Sequence, residues 1–93
     1  MSSEREQSLE LLNATHSFPC AFTIKVIGAA DNDFVTRVVD VLREFDAEVT
    51  YQTRSTPKGN HVSVTLEPNL ESAEQVLEVY ERIKTLEGVV MTM

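Results

Sequence analysis

The side chains able to do chemistry are few and scattered. The chain has two histidines, His16 and His61, and one cysteine, Cys20. The histidines lie in different segments, and no Cys-x-x-Cys pair is present. Cys20 opens an apolar-alternating stretch, where a thiol usually behaves as a small hydrophobe. No metal site and no cofactor are expected. Asp31 and Asp33 could serve as an acid–base pair, but a carboxylate at a helix N-cap and another in its first turn account for both. The serines and threonines have no histidine–carboxylate pair at a spacing that would activate them. The sequence therefore reads as non-enzymatic.

The cations are more suggestive. No acid occurs from residue 49 to residue 66, and Arg54, Lys58 and His61 all fall in that window. With Lys25 they could form a surface for an anion or a partner. Asp and Glu are also poor strand formers, so a solvated sheet face gives the same pattern. Thr56-Pro57-Lys58-Gly59-Asn60 poses the same choice. Lys58 could hold an anion at a loop tip, or the segment is ordinary hairpin chemistry with Gly59 at positive φ.

These residues need elements to place them. Phe22, Ile24 and Val26 alternate within a strand over 20–27, closed by Gly28. Phe34, Val38, Val41, Leu42 and Phe45 form one stripe of a helix from Asp31 to about Phe45. A second strand covers 48–54 and a third 61–67, with Pro68 and Asn69 breaking it. A second helix covers 71–86 with Ala73, Val76, Leu77, Tyr80 and Ile83 inward, and Gly88 follows as a stop signal. Residues 89–93 make a last strand. The order β-α-β-β-α-β is the ferredoxin-like plan, an α+β two-layer sandwich. Its antiparallel sheet should run 4-1-3-2 with both helices on one face. Residues 1–8 read as a disordered tail, 9–19 as a lead-in, and 20–93 as the domain.

Composition narrows the function. With 93 residues the chain makes one small domain that buries roughly 60–65% of its unfolded surface. Fifteen acids against eight bases give a net charge of −7, which argues against nucleic-acid binding. The open faces of strands 1 and 3 also offer no aromatic platform for bases. The loop Gly28 to Asp33 carries two carboxylates, which would repel a phosphate. No apolar run is long enough to span a membrane, and the polar N-terminus has no signal-peptide core, so a cytoplasmic protein is expected. The last strand, Val89 to Met93, is apolar and uncharged. Such an edge calls for cover by Leu9–Leu12 or for pairing with another chain, which makes a homodimer a fair expectation.

A set of residues now resembles a known family. Phe18-Pro19, Phe22-Thr23, Lys25-Val26 and Gly28, then Ser55, Lys58-Gly59-Asn60 and His61-Val62-Ser63-Val64, resemble the YbeD-like family of small bacterial proteins of unknown function. The resemblance runs from about residue 9 to the end. It implies an ACT-like, ferredoxin-like domain with no assigned activity, and a weak link to lipoate metabolism. It also implies that shared residues mark a ligand or partner site, here Lys25, Ser55, Lys58, Gly59 and Asn60. ACT-type domains hold an amino acid near the loop after strand 1, where Gly28 and Asp31 fall here. Phe34 stands where a small residue is usual and could fill that space. The reading is a regulatory or adaptor domain that acts through a protein partner or self-association. The alternative is a sensor of an amino acid, small carboxylate or other anion.

Overall fold

The computed structural model describes residues 4–30 and 32–92. The chain runs α1 (Glu4–Thr15), β1 (Cys20–Ala21), β2 (Ile24–Ala29), α2 (Asn32–Arg43), β3 (Thr50–Ser55), β4 (His61–Glu67), β5 (Asn69–Leu70), α3 (Ala73–Lys84) and β6 (Val89–Thr92). The four longer strands form one antiparallel sheet in the order β3-β4-β2-β6. Strands β2 and β4 sit in the middle and bury alternate residues, as a sheet covered on one face requires. Ile24, Val26, Val62, Val64 and Leu66 point into the core, where they meet Phe34, Val38 and Leu42 of α2 and Val76, Val79 and Ile83 of α3.

The strand expected over 20–27 is two pieces. β2 starts at Ile24, opposite Leu66, and β1 pairs separately with β5. Pro68 is the cause: it has no N–H for the ladder, and it is fully buried at the end of β4. The chain resumes as β5, and the Phe22 N–H donates to the Pro68 carbonyl at 2.9 Å. The break expected at Pro68 and Asn69 is thus a step from one sheet to another. Asp46 fixes it from the α2–β3 turn, accepting from the Glu48 N–H at 3.0 Å and the Asn69 N–H at 2.9 Å.

The helices differ from expectation at their ends. α3 starts at Ala73, because Ser72 is the N-cap and accepts from the Gln75 N–H. Glu71 therefore lies outside the helix. Val79 is fully buried, while Leu77 is only partly so. α2 ends at Arg43 and Phe45 follows in a turn. Residues 4–8, expected in a tail, belong to α1, which packs on α3 and places Arg5 2.8 Å from Glu81. Leu12 reaches the core, whereas Leu11 is 67% exposed. Residues 1–3 and Asp31, with the expected N-cap, lie outside the described residues.

Candidate functional site

The pairing registers place the polar side chains in rows across the face of the sheet away from the helices. Lys25 lies opposite Thr65, and Thr65 opposite Gln52. In the next row Met91, Ile27, Ser63 and Arg54 cross four strands. Lys25 and Arg54 are therefore diagonal neighbours across β4, their Cα atoms roughly 12 Å apart by strand spacing and rise. Their long side chains line that gap from either side, with Ser63 and Thr65 between them. The space between is a shallow depression of about 280 Å³ lined by Lys25, Gln52, Thr53, Arg54, Ser63 and Thr65. A second, of about 250 Å³, adjoins it toward Ser55 and Pro57. Together they can offer an anion two positive charges and several neutral donors.

The hairpin between β3 and β4 is a separate feature. The Thr56 N–H donates to the His61 carbonyl at 3.0 Å, and the Gly59 N–H to the Thr56 carbonyl at 2.9 Å. Gly59 has φ +72°, the left-handed conformation that this tight turn needs. Lys58, Gly59 and Asn60 are exposed at its tip. Lys58 and Asn60 line a depression with Thr56, Pro57 and His61.

Gly28 belongs to neither group. It is buried at the end of β2, under the ring of Phe34, which is itself 0% exposed. A Cβ on residue 28 would overlap that ring and come within 2.6 Å of the Gly88 carbonyl. The adjoining backbone is held on both sides. The Ala29 N–H donates to Gly88 at 3.0 Å, and the Ala30 N–H to Asn60 at 3.2 Å. The expected site residues within the described chain thus fall into four places: Lys25 on the open face, Ser55 at the end of β3 opposite core-facing Val62, Lys58 to Asn60 on the hairpin, and Gly28 beneath Phe34; Asp31 lies outside the described residues.

Arg54, Gln52, Ser63 and Thr65 surround Lys25 and follow from alternation alone. Met91 is harder to place from sequence, because the β2–β6 register shifts at Ile27/Gly28. Val90 and Met91 are 62% and 51% exposed, and α1 packs on α3 rather than forming a strand beside them. No helix among the described residues is long and apolar enough to cross a membrane.

Helices packed on one side of an antiparallel sheet, with the other side open, define an α+β domain of the ferredoxin-like, ACT-like class. Solved structures agree. The solution structure of protein HP0495 from H. pylori superposes with a TM-score of 0.74 over 84% of this chain and 85% of that one, at 16% identity. The ACT domain of a GTP pyrophosphokinase from Chlorobium tepidum gives 0.63 over 83% and 97%, at 14% identity. At such identities the likeness is one of fold. The family follows from sequence: residues 13–93 match the model described as protein of unknown function (DUF493), and the chain belongs to that family. UPF0250 proteins of Edwardsiella ictaluri and Photorhabdus laumondii are each 39% identical to it. The first aligns over 88% of this chain and 95% of its own length, the second over 82% and 88%. The YbeD-like resemblance is thereby borne out.

Proposed function

We propose that this chain is a non-enzymatic regulatory or adaptor domain of the cytoplasm that works by contact with another protein. The packing of Phe34 on Gly28 carries the reading. An amino acid held in the ACT manner needs room between the end of the first long strand and the first turn of the following helix. Here the Phe34 ring occupies that room. The depressions on the open face and the hairpin are shallow and open to solvent, unlike the concave pockets that enclose small ligands. Regulation by surface contact fits such a molecule. The cations around Lys25 favour a second reading, a sensor of a small anion.

An amide NMR titration of the labelled protein separates the two. Pooled amino acids, short-chain acids including octanoate and lipoate, and nucleotides are added in turn. The adaptor reading expects no saturable shift over residues 28–33 or 55–61. Localised, saturable shifts in either stretch overturn it and make the protein a sensor.

A further inference from the structure

We infer that the open face of the sheet docks an acidic, partly apolar segment of a partner protein, with carboxylates between Lys25 and Arg54 and an apolar side chain over Ile27 and Met91. This rests on the adaptor reading and adds the surface and the chemistry of its partner.

Charge is the first argument. The molecule carries −7, yet the open face from β2 to β6 bears a single acid, Glu67 at the far end of β4. Two cations on the helices do find acids, Arg5 with Glu81 and Arg82 with Glu44. The side chains of Lys25 and Arg54 make no ion pair or hydrogen bond among the described residues. Strand propensity explains missing acids, but it disfavours lysine as well. It does not explain two unpaired cations flanking one strip of hydroxyls.

Shape is the second. The two depressions share Lys25, Arg54 and Ser63, so they form one shallow trough. It runs along the strands from Thr65 and Gln52 to Thr56 and Pro57. A trough of that form fits an extended chain better than a small molecule, which needs enclosure.

The third argument is the apolar flank. Ile27 is half-buried and Met91 lies opposite it, 51% exposed. An apolar strip beside a charged one is the usual composition of a protein contact, and methionine adapts its shape to what it meets. A nucleic acid suits the face poorly, because among the described strand residues no Phe, Tyr or Trp lies on it, the His61 imidazole at its hairpin end being the one ring, and the net charge is wrong.

The test uses the full-length labelled protein and three probes. One is a peptide of about ten residues alternating glutamate and leucine, long enough to span the trough. The others are the matching lysine–leucine peptide and inorganic phosphate. The acidic peptide is expected to shift Lys25, Ile27, Arg54, Ser63 and Thr65 saturably, and less so at high salt. The lysine peptide should not. The double variant K25E/R54E should weaken binding about tenfold or more, and the K25Q/R54Q pair should weaken it less. K84E, at the far end of α3, should leave it unchanged. Amide dispersion confirms that each variant is folded. Shifts confined to the β6 edge or the helices, or none at all, overturn the surface and leave the adaptor reading standing. An equal response of the same residues to phosphate alone overturns the peptide in favour of a small anion. Saturable metabolite shifts over residues 28–33 sink the adaptor reading itself.

Discussion

Phe34 and Gly28 interlock: the ring fills the space that any side chain at residue 28 would need. The pair joins the first turn of α2 to the end of β2. Its two halves should fail differently. Phe34→Ala leaves a cavity and should cost about 3–5 kcal/mol. Gly28→Ala pushes a methyl into the ring and the Gly88 carbonyl and should cost roughly 1–3 kcal/mol. In the double variant the clash with the ring is gone, so the loss should be less than the sum of the two. Urea midpoints of the four proteins measure this coupling. Strict additivity would mean that the ring and residue 28 do not meet.

Gly59 provides a control of different physics. Nothing lies within 4 Å of a Cβ placed there, but its φ is +72°. Gly59→Ala should therefore cost about 1 kcal/mol from backbone strain alone, without coupling to any neighbour. Gly59→Asn should recover part of that loss, because asparagine tolerates the left-handed region. Denaturant melts of the two variants decide it, and equal losses would remove strain as the cause.

Asp46 joins parts of the chain that are far apart in sequence. Its carboxylate accepts from the Glu48 and Asn69 N–H groups, tying the end of α2 to β5. Asp46→Ala leaves both exposed donors to water and should cost about 0.5–1.5 kcal/mol. Faster amide exchange should appear at Asn69 and along the β1–β5 pair. A loss confined to α2 would argue against the tie.

The N-terminal helix should be the least protected element. None of its residues is buried, and its ion pair to Glu81 is exposed on both sides, worth about 0–1 kcal/mol. Its amides should exchange before those of α2 and α3. Protection equal to α3 would show a tighter dock than the burial implies.

Sequence legibility followed physical strength of signal. His61–Glu67 alternates cleanly because one face is buried and the other is open, and the strand has the bounds its pattern predicts. Alternation also put Lys25, Gln52, Arg54, Ser63 and Thr65 on one face. Phe22 continued the alternation of Ile24 and Val26, so the break before β2 was invisible. It is set by Pro68, more than forty residues away, through the ladder. α1 was missed because it has no apolar stripe to read. Its glutamates, leucines, glutamine and arginine are nonetheless strong helix formers. Ser72 and Gln75 carried the S-x-x-Q signature of a helix start, and it sets the N-terminus of α3 at Ala73 rather than Glu71. Site residues separated by the fold, such as Gly28 and Lys25, sit close in sequence on one strand. Only the side each faces distinguishes them.

Tyr80 gives the pH prediction. Burial raises its phenol above the ordinary value of 10.0, because the charged phenolate is poorly solvated there. The folded chain therefore keeps the proton where the unfolded chain has released it. The resulting stability is fully present below the unfolded value and is lost as pH rises through the folded one. Tyr80→Phe removes this titration. The informative quantity is the difference between wild type and variant, which cancels every other ionisation. Urea midpoints measured from pH 8 to pH 11, roughly the range that brackets a tyrosine, should fall more steeply for the wild type. Parallel curves would mean that the Tyr80 phenolate is solvated as well in the folded chain as in the unfolded one.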